Sequence, residues 1–392
     1  MNDLKINKLI NEDNITFIIQ GRIDSNNSND LSEYVFANIN ENSNVVFDFE
    51  KIYYISSAGL RIVLKTQKFV KDFKVINLSS DVYEIFEMTG FSEIIKISKI
   101  MREISIEGKT LIGEGFMGKV YRLDPETIIK VYIRNGSLEE INREVSLCKK
   151  ALILGLPTAI PFDIVKVKEG GYGSIFELLD SVPLNKLLTA NPDKLDFYIS
   201  KSINLLKQIN STDISNQDLP KKKDTAKEWL DYLAKYAIFD EKTLQKLNIL
   251  IDSIPDTNML IHGDFHIKNI MVRDDEYLLI DMDTLGVGHP IFEISAFYLS
   301  YIGYPAIEPG NTDKFFGVNE LTCKKIFDDT FNSIYPNKSQ KEKDDIMNKV
   351  ILFSYMWLAY KTQYFEPNNL TRLNHAKEQV YKLIDKLDTL AL

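Results

Sequence analysis

Cysteine is scarce: Cys148 and Cys323 are the two in 392 residues, too few for a disulfide framework. Long apolar runs are also missing, the nearest being 151–156 and 296–301, well short of the roughly 18 to 20 residues that span a bilayer. The start, MNDLKINKLI, has neither a basic n-region nor a long apolar h-region; with the scarcity of cysteine this points to a cytoplasmic protein without membrane attachment. Nor is there an excess of positive charge. Forty-seven basic against 56 acidic side chains give −9, which argues against a phosphate-backbone sleeve and removes nucleic acid from the expected partners. Internal repeats and low-complexity tracts are absent. What is present is an ordinary globular composition, 44% apolar, 11% aromatic and 26% charged. The chain is longer than one hydrophobic core usually organises, so two or three domains are expected.

The first hundred residues alternate short strands with helical stretches. Apolar runs at 15–19, 44–49 and 73–78 are bounded by turn signals. Between the last two, Leu60, Val63, Leu64 and Phe69 recur at helical spacing while Arg61, Lys65, Lys68 and Lys71 mark a solvated side. This predicts a small α/β unit, complete by Ile97. From Glu103 the pattern turns hairpin-like, with strands at 104–112, 119–123 and 127–132 and then a helix over 138–154. A second domain therefore begins near residue 101. Beyond Leu178 the chain reads as mostly helical, at 195–209, 226–237 and 242–254. Two long helices at 344–364 and 370–390 flank the turn-rich Glu366-Pro367-Asn368-Asn369. The run Lys221-Lys222-Lys223 reads as a solvated loop.

Gly113, Gly115 and Gly118 form a GxGxxG followed by Val120. Glycines let a backbone bend tightly and approach a phosphate with its N–H groups, although a hairpin also favours them. Here they join two strands instead of opening a helix, and Lys130 follows on a third strand, from which it can reach under the loop to a nucleotide's α- and β-phosphates. Its charge needs a partner. The next helix offers Glu139, Glu140 and Glu144; Glu144 lies on the helix body, where Ile141, Leu147 and Cys148 mark an apolar side, and is the expected ion-pair partner.

A denser polar cluster, HGDFHIKN at 262–269, lies between apolar runs, and LIDMD follows at 279–283. Carboxylates at the ends of apolar strands are costly to bury unless paired or bound to metal. Asp264, Asn269 and Asp281 match what phosphoryl transfer needs. One carboxylate orients and deprotonates an acceptor hydroxyl, while an amide oxygen and a second carboxylate hold Mg²⁺ against the nucleotide phosphates. His262 and His266 have the i,i+4 spacing of a helical zinc pair. Gly263 and the flanking strands place them in a loop instead, with His262 expected as a buried residue that hydrogen-bonds the loop backbone. His375 is expected to be structural.

On these motifs, residues 101–392, about three quarters of the chain, resemble the aminoglycoside phosphotransferase and choline kinase-like branch of the protein-kinase-like fold. The resemblance rests on Gly113–Gly118, Lys130 in IIKVY, Glu144, HGDFHIKN and LIDMD, in that order. It implies an α+β bilobal domain, with an N-lobe over about 101–178 and a C-lobe over about 179–392. It also implies ATP and Mg²⁺ as cofactors, Asp264 as catalytic base, and Asn269 and Asp281 as metal ligands. Phe176-Glu177-Leu178-Leu179 becomes the hinge, with Glu177 and Leu179 meeting adenine. Lys268 stands where small residues are common in the family, and His289 where many members carry Asp. No Ala-Pro-Glu-type anchor follows Asp281, so an activation-loop phosphosite is not implied.

Residues 1–100 resemble a STAS domain of the anti-sigma-factor-antagonist type, an α/β fold with a mixed sheet. The matching stretches are VVFDF at 45–49, YISSAGLR at 54–61 and VYEIFEMTGF at 82–91. The resemblance puts Ser57 in the place of the family's switch serine, while Ile55 stands where well-known switch members carry Asp. Physically, Ser56 and Ser57 stand where a helix begins, so a plain N-cap is one reading. A phosphoserine is the other: it suits the helix dipole but adds about −2 charge to an exposed surface.

The function expected from all this is ATP- and Mg²⁺-dependent phosphotransfer to a hydroxyl-bearing small molecule, with the STAS module regulating or docking. One alternative is a serine/threonine kinase acting on Ser57 or on a STAS or anti-sigma-type partner; another is a non-catalytic nucleotide-binding scaffold. Residues 1–100 carry 11 basic and 14 acidic side chains. The acidity is thus shared between the domains and does not name a cationic acceptor.

Overall fold

Phenylalanine organises the first core. Phe17, Phe47, Phe49 and Phe86 are wholly buried, and Phe47 meets Phe73 edge-to-face at 4.9 Å, a favoured aromatic geometry. They sit on a five-stranded sheet of Lys5–Asn11, Asn14–Ile23, Asn44–Ile55, Asp72–Leu78 and Lys96–Lys99, ordered as in the sequence. The first two strands form an antiparallel hairpin and the others are parallel. Helices Ser28–Phe36, Ser57–Phe69 and Ser80–Met88 make the connections, so the sheet is mixed and the unit α/β, as expected. Of the two serines, Ser56 takes the N-cap, accepting a hydrogen bond from the Gly59 N–H at 3.4 Å. Ser57 is the exposed first residue of the helix.

These coordinates come from a computed structural model, which describes residues 4–11, 14–115, 117–133, 136–215 and 217–392. The chain separates into two compact units, one of residues 1–105 with 165–168, the other of 106–164 with 169–392.

In the second unit, Thr110–Glu114, Gly118–Arg122, Thr127–Tyr132 and Tyr172–Glu177 are successive antiparallel neighbours. Gly118 has no room for a side chain, because a Cβ there would collide with the Val131 carbonyl oxygen. The single strand expected over 104–112 is instead two separate strands, Glu103–Ile104 and Thr110–Glu114, which are not sheet neighbours and are separated by a turn in which Gly108 is left-handed at φ 71°. Helix Leu138–Ile153 starts in a capping box of Ser137 and Glu140. The remainder is largely helical. Leu195–Asn210, Lys222–Lys235, Glu241–Asp252, Glu320–Ile334, Gln340–Phe365 and Leu370–Leu383 pack around one apolar core.

Two expectations need correction. The lysine run is not a solvated loop, since a helix begins at Lys222 and draws that residue inward. The last helix stops at Leu383 and continues only as the 3₁₀ turn Ile384–Lys386. Among the described residues no helix is long and apolar enough to cross a membrane.

Candidate active site

Strand Thr127–Tyr132 alternates, burying Ile129 and Val131 on one face and presenting Lys130 on the other. There the Lys130 ammonium lies 2.7 Å from Glu144 Oε1 and 2.9 Å from Asp281 Oδ1. The second Glu144 oxygen accepts from the Tyr132 hydroxyl at 2.9 Å. Burial opposes the charge on Lys130, but Asp281 and Glu144 override it and hold its pKa well above the usual lysine value. Glu140 is spent on its own helix cap and Glu144, one turn on, is the glutamate that reaches the lysine.

The loop 262–269 runs from strand Leu260–Ile261 to strand Ile270–Arg273, and its backbone is held at several points, while the buried His262 Nε2 and His266 Nδ1 have no hydrogen-bond partner among the described residues. The Glu293 carboxylate accepts the backbone N–H groups of His262 at 2.7 Å and Gly263 at 3.0 Å. Gly263 is left-handed at φ +81°, and a Cβ on it would stand 2.9 Å from Lys222 Nζ. His262 is completely buried; its Nδ1 accepts from the Asp264 N–H at 3.2 Å and its carbonyl accepts from Thr284 Oγ1 at 2.6 Å. The Ile267 N–H donates to the Tyr301 hydroxyl at 2.9 Å. The His262–His266 pair lies in this loop and not on a helix.

Asn269 Nδ2 donates to the backbone oxygen of Asp264 at 3.0 Å and to its carboxylate at 3.2 Å, while His266 Nε2 stands 3.6 Å from the same carboxylate. The Ile280 N–H donates to the Asn269 carbonyl at 2.9 Å, so Asp281 follows directly on a fixed point. Asp281 is itself left-handed at φ 67°, a conformation that costs a non-glycine residue energy and recurs at functional sites. Burial works against its charge as well, yet Lys130 lowers its pKa below the usual value. Two residues on, burial and the Asp281 charge raise Asp283 far above the usual range. The surroundings thus push the two neighbouring carboxylates in opposite directions.

The glycine loop and hinge differ from simple expectation. The Gly115 N–H is committed to the Gly118 carbonyl at 2.9 Å, closing the hairpin; open space lies where a Gly115 side chain would stand. At the hinge, the Glu177 and Leu178 N–H groups donate to the Ile160 and Glu126 carbonyls at 2.9 and 2.7 Å. Among the described residues nothing takes the Leu179 N–H.

Two contributors were missed by motif reading. Glu293 is 3% exposed and its only sequence signal is a lone charge inside the apolar helix Ile291–Tyr298. Burial lifts its pKa to about 7, against the two N–H bonds it accepts. Lys222 donates to the Thr284 carbonyl, and burial brings its pKa down to about 8; nothing distinguishes it within a lysine triplet.

Burial also depresses His262 and His289 to about 4. Between pH 6.5 and 4 the unfolded chain therefore holds protons that the folded chain does not, and stability falls as pH drops through that window. Each histidine contributes about 1.4 kcal/mol per pH unit. Glu293 acts oppositely, its contribution being present at low pH and lost as pH rises from 4.5 to about 7. Between pH 6.5 and 5 the denaturant midpoint of His289→Gln should fall less than that of wild type by about one histidine's share; an identical pH dependence in the two proteins would contradict the assignment.

Comparisons with known proteins bear on the family and the fold. The model of the phosphotransferase enzyme family (APH) matches residues 110–311, and the STAS domain model matches residues 5–104. "Putative anti-sigma factor antagonist BtrV" of Bordetella bronchiseptica is 30% identical over 99 residues, 24% of this chain and 85% of that protein. Among solved structures, the apo form of a thermostable mutant of aminoglycoside phosphotransferase APH(4)-Ia superposes with a TM-score of 0.51 at 14% identity, covering 72% of this chain and 97% of the other. A ternary complex of such a mutant with AMP-PNP and hygromycin B gives 0.51 at 14%, covering 71% and 93%. At that identity the likeness establishes the fold. With a family match that spans just over half of the chain and includes the Lys130, Asp264, Asn269 and Asp281 cluster, the chain belongs to the phosphotransferase enzyme family and carries a STAS domain ahead of it.

Proposed function

We propose that residues 101–392 transfer the γ-phosphoryl group of ATP to the hydroxyl of a small molecule, and that residues 1–100 act as a regulatory or docking module. The observation that carries this is Lys130 held between Glu144 and Asp281, because it joins the glycine-loop strands to the segment that follows Asp264 and Asn269. In this reading the acceptor oxygen forms a bond to the γ-phosphorus, the bond from phosphorus to the ADP oxygen breaks, and the hydroxyl proton passes to Asp264. Lys130 neutralises the nucleotide phosphates. The Leu179 N–H and the Glu177 backbone form the adenine edge, at the junction of an N-lobe ending near 178 with the C-lobe.

The donor set fits Mg²⁺. The Asn269 amide nitrogen is occupied by Asp264, which leaves its oxygen, and Asp281 adds a charged carboxylate. Among the described residues no group of three or more His, Cys, Asp or Glu could hold a metal. Magnesium bound largely by water and phosphate needs only one or two protein oxygens. When bound, it would neutralise charge on the phosphates as the transferred group moves.

A second reading has its own support. Because Ser56 makes the cap, the exposed Ser57 hydroxyl is not needed for the fold, and it suits a phosphoacceptor in a partner-switching circuit, whether the serine phosphorylated is Ser57 itself or that of a partner's STAS domain. Incubation with labelled ATP, using wild type, Ser57→Ala and Asp264→Asn, tests both. Turnover stimulated by a metabolite without protein label supports the first reading; label lost in both variants supports the second. Mg-ATP binding without any transfer would leave a nucleotide-binding scaffold.

A further inference from the structure

Helix Gln340–Phe365 carries two buried or half-buried lysines that are treated differently. Lys349 is paired with Asp345 at 2.6 Å. Lys361, three turns on, makes no ion pair among the described residues; its ammonium lies 4.7 Å from the ring centre of Trp357. The nearby cation Arg372 is already matched by Glu308 and Glu366. Burial works against the charge of Lys361, but Tyr304, Asp264 and Asp283 lie close enough to hold its pKa above the usual lysine value. No carboxylate closes an ion pair with this ammonium among the described residues, so it remains a charged donor able to take an anion.

Beside this lysine lies a flat aromatic surface. Trp229 stacks on Trp357 with centroids 5.5 Å apart and planes at 16°, and on Tyr360 at 5.6 Å and 24°. All three rings are partly exposed. Trp229 sits seven residues after Lys222 on the same helix face, about 10 Å along the axis, and Lys222 touches the loop that holds Asp264. The shelf therefore stands on the helix whose first turn touches the loop of the proposed base, two turns further along.

We propose that the phosphoryl acceptor is an anionic hydroxyl compound, its carboxylate or phosphate held by Lys361 and its carbon skeleton laid on the Trp229, Trp357 and Tyr360 shelf. This rests on the phosphotransfer reading for its name as acceptor. Aromatic faces take up a ring or chain by apolar contact, and an ammonium pairs with an anion. A cationic amino alcohol would meet Lys361 with like charge.

Both tryptophans of the chain lie in the shelf, so intrinsic tryptophan fluorescence reports on this place alone. The full chain is titrated with malonate, inorganic phosphate, ethanolamine and glycerol at constant ionic strength. Malonate or phosphate should give a saturable change, the stronger of the two identifying carboxylate or phosphate, with no saturable change from ethanolamine or glycerol. Lys361→Met should weaken the anion's Kd at least tenfold, and Lys361→Arg should retain it, which separates lost recognition from lost folding. Phosphate bound beside Lys130 instead would survive Lys361→Met. A saturable response to ethanolamine, none to either anion, or an anion response unchanged in Lys361→Met overturns the proposal. Mg-ATP binding is measured calorimetrically in the same samples: its absence in wild type would defeat the phosphotransfer reading, whatever the anions do.

Discussion

Asp264→Asn should reduce phosphotransfer by two or more orders of magnitude, in line with the contribution of a positioned general base, about 10²–10⁴-fold, while the protein stays folded and continues to bind Mg-ATP. The substitution keeps the size of the side chain and an oxygen able to accept from Asn269 Nδ2, now at 3.2 Å. The loop's other supports do not involve the carboxylate at all: Glu293 holds the His262 and Gly263 N–H groups, Tyr301 holds Ile267, and Thr284 holds the His262 carbonyl. What is lost is an oxygen able to take the hydroxyl proton. Turnover measured by release of ADP in the presence of acceptor, alongside a thermal midpoint close to wild type, checks this. A variant that keeps a tenth of wild-type activity would remove Asp264 from the role of base.

Lys130→Met should have the largest effect on stability. The lysine side chain is 15% exposed and that of Glu144 9%, so losing the ammonium strands a buried glutamate and leaves Asp281 without its nearest cation. Breaking one side of a buried pair typically costs about 3–5 kcal/mol. Burial already raises the Glu144 pKa against the pull of Lys130, so part of that cost will be relieved by proton uptake, and the destabilisation should grow as pH rises. Tyr132→Phe deletes only one hydrogen bond to Glu144 and should cost about 1 kcal/mol. The informative control is the double variant Lys130→Met/Glu144→Leu, which replaces both charges by apolar groups. Denaturant midpoints should place it above Lys130→Met alone; a double variant as unstable as the sum of the two singles would mean the pair is not the source of the cost.

The two families and the fold class were legible because their signals are local. VVFDF lies within strand Asn44–Ile55 and YISSAGLR runs from the end of that strand into the next helix, and Asp264, Asn269 and Asp281 fall within eighteen residues on consecutive strands and loops. Even the choice among three glutamates had a readable key, since Ser137 and Glu140 have the spacing of a capping box, which withdraws Glu140. Element limits were less legible. Gly108 interrupts a strand that periodicity alone would continue, and the helix expected to start at Ala226 starts at Lys222 because its first turn is stabilised by contacts with Gly263 and Thr284 rather than by its own sequence. The supports of the site were not legible at all. Glu293 acts on residues 30 and 31 positions away, and Trp229 meets Trp357 across more than a hundred; neither pairing leaves a periodic trace.

In the proposed reaction two aspartates have different roles, base for Asp264 and metal ligand for Asp281. The most direct test is calorimetric titration of Mg-ATP into wild type, Asp264→Asn and Asp281→Asn. The expected result is near wild-type affinity for Asp264→Asn and at least tenfold weaker binding for Asp281→Asn, with its magnesium dependence diminished. Equal loss of nucleotide affinity in both variants would contradict the assignment.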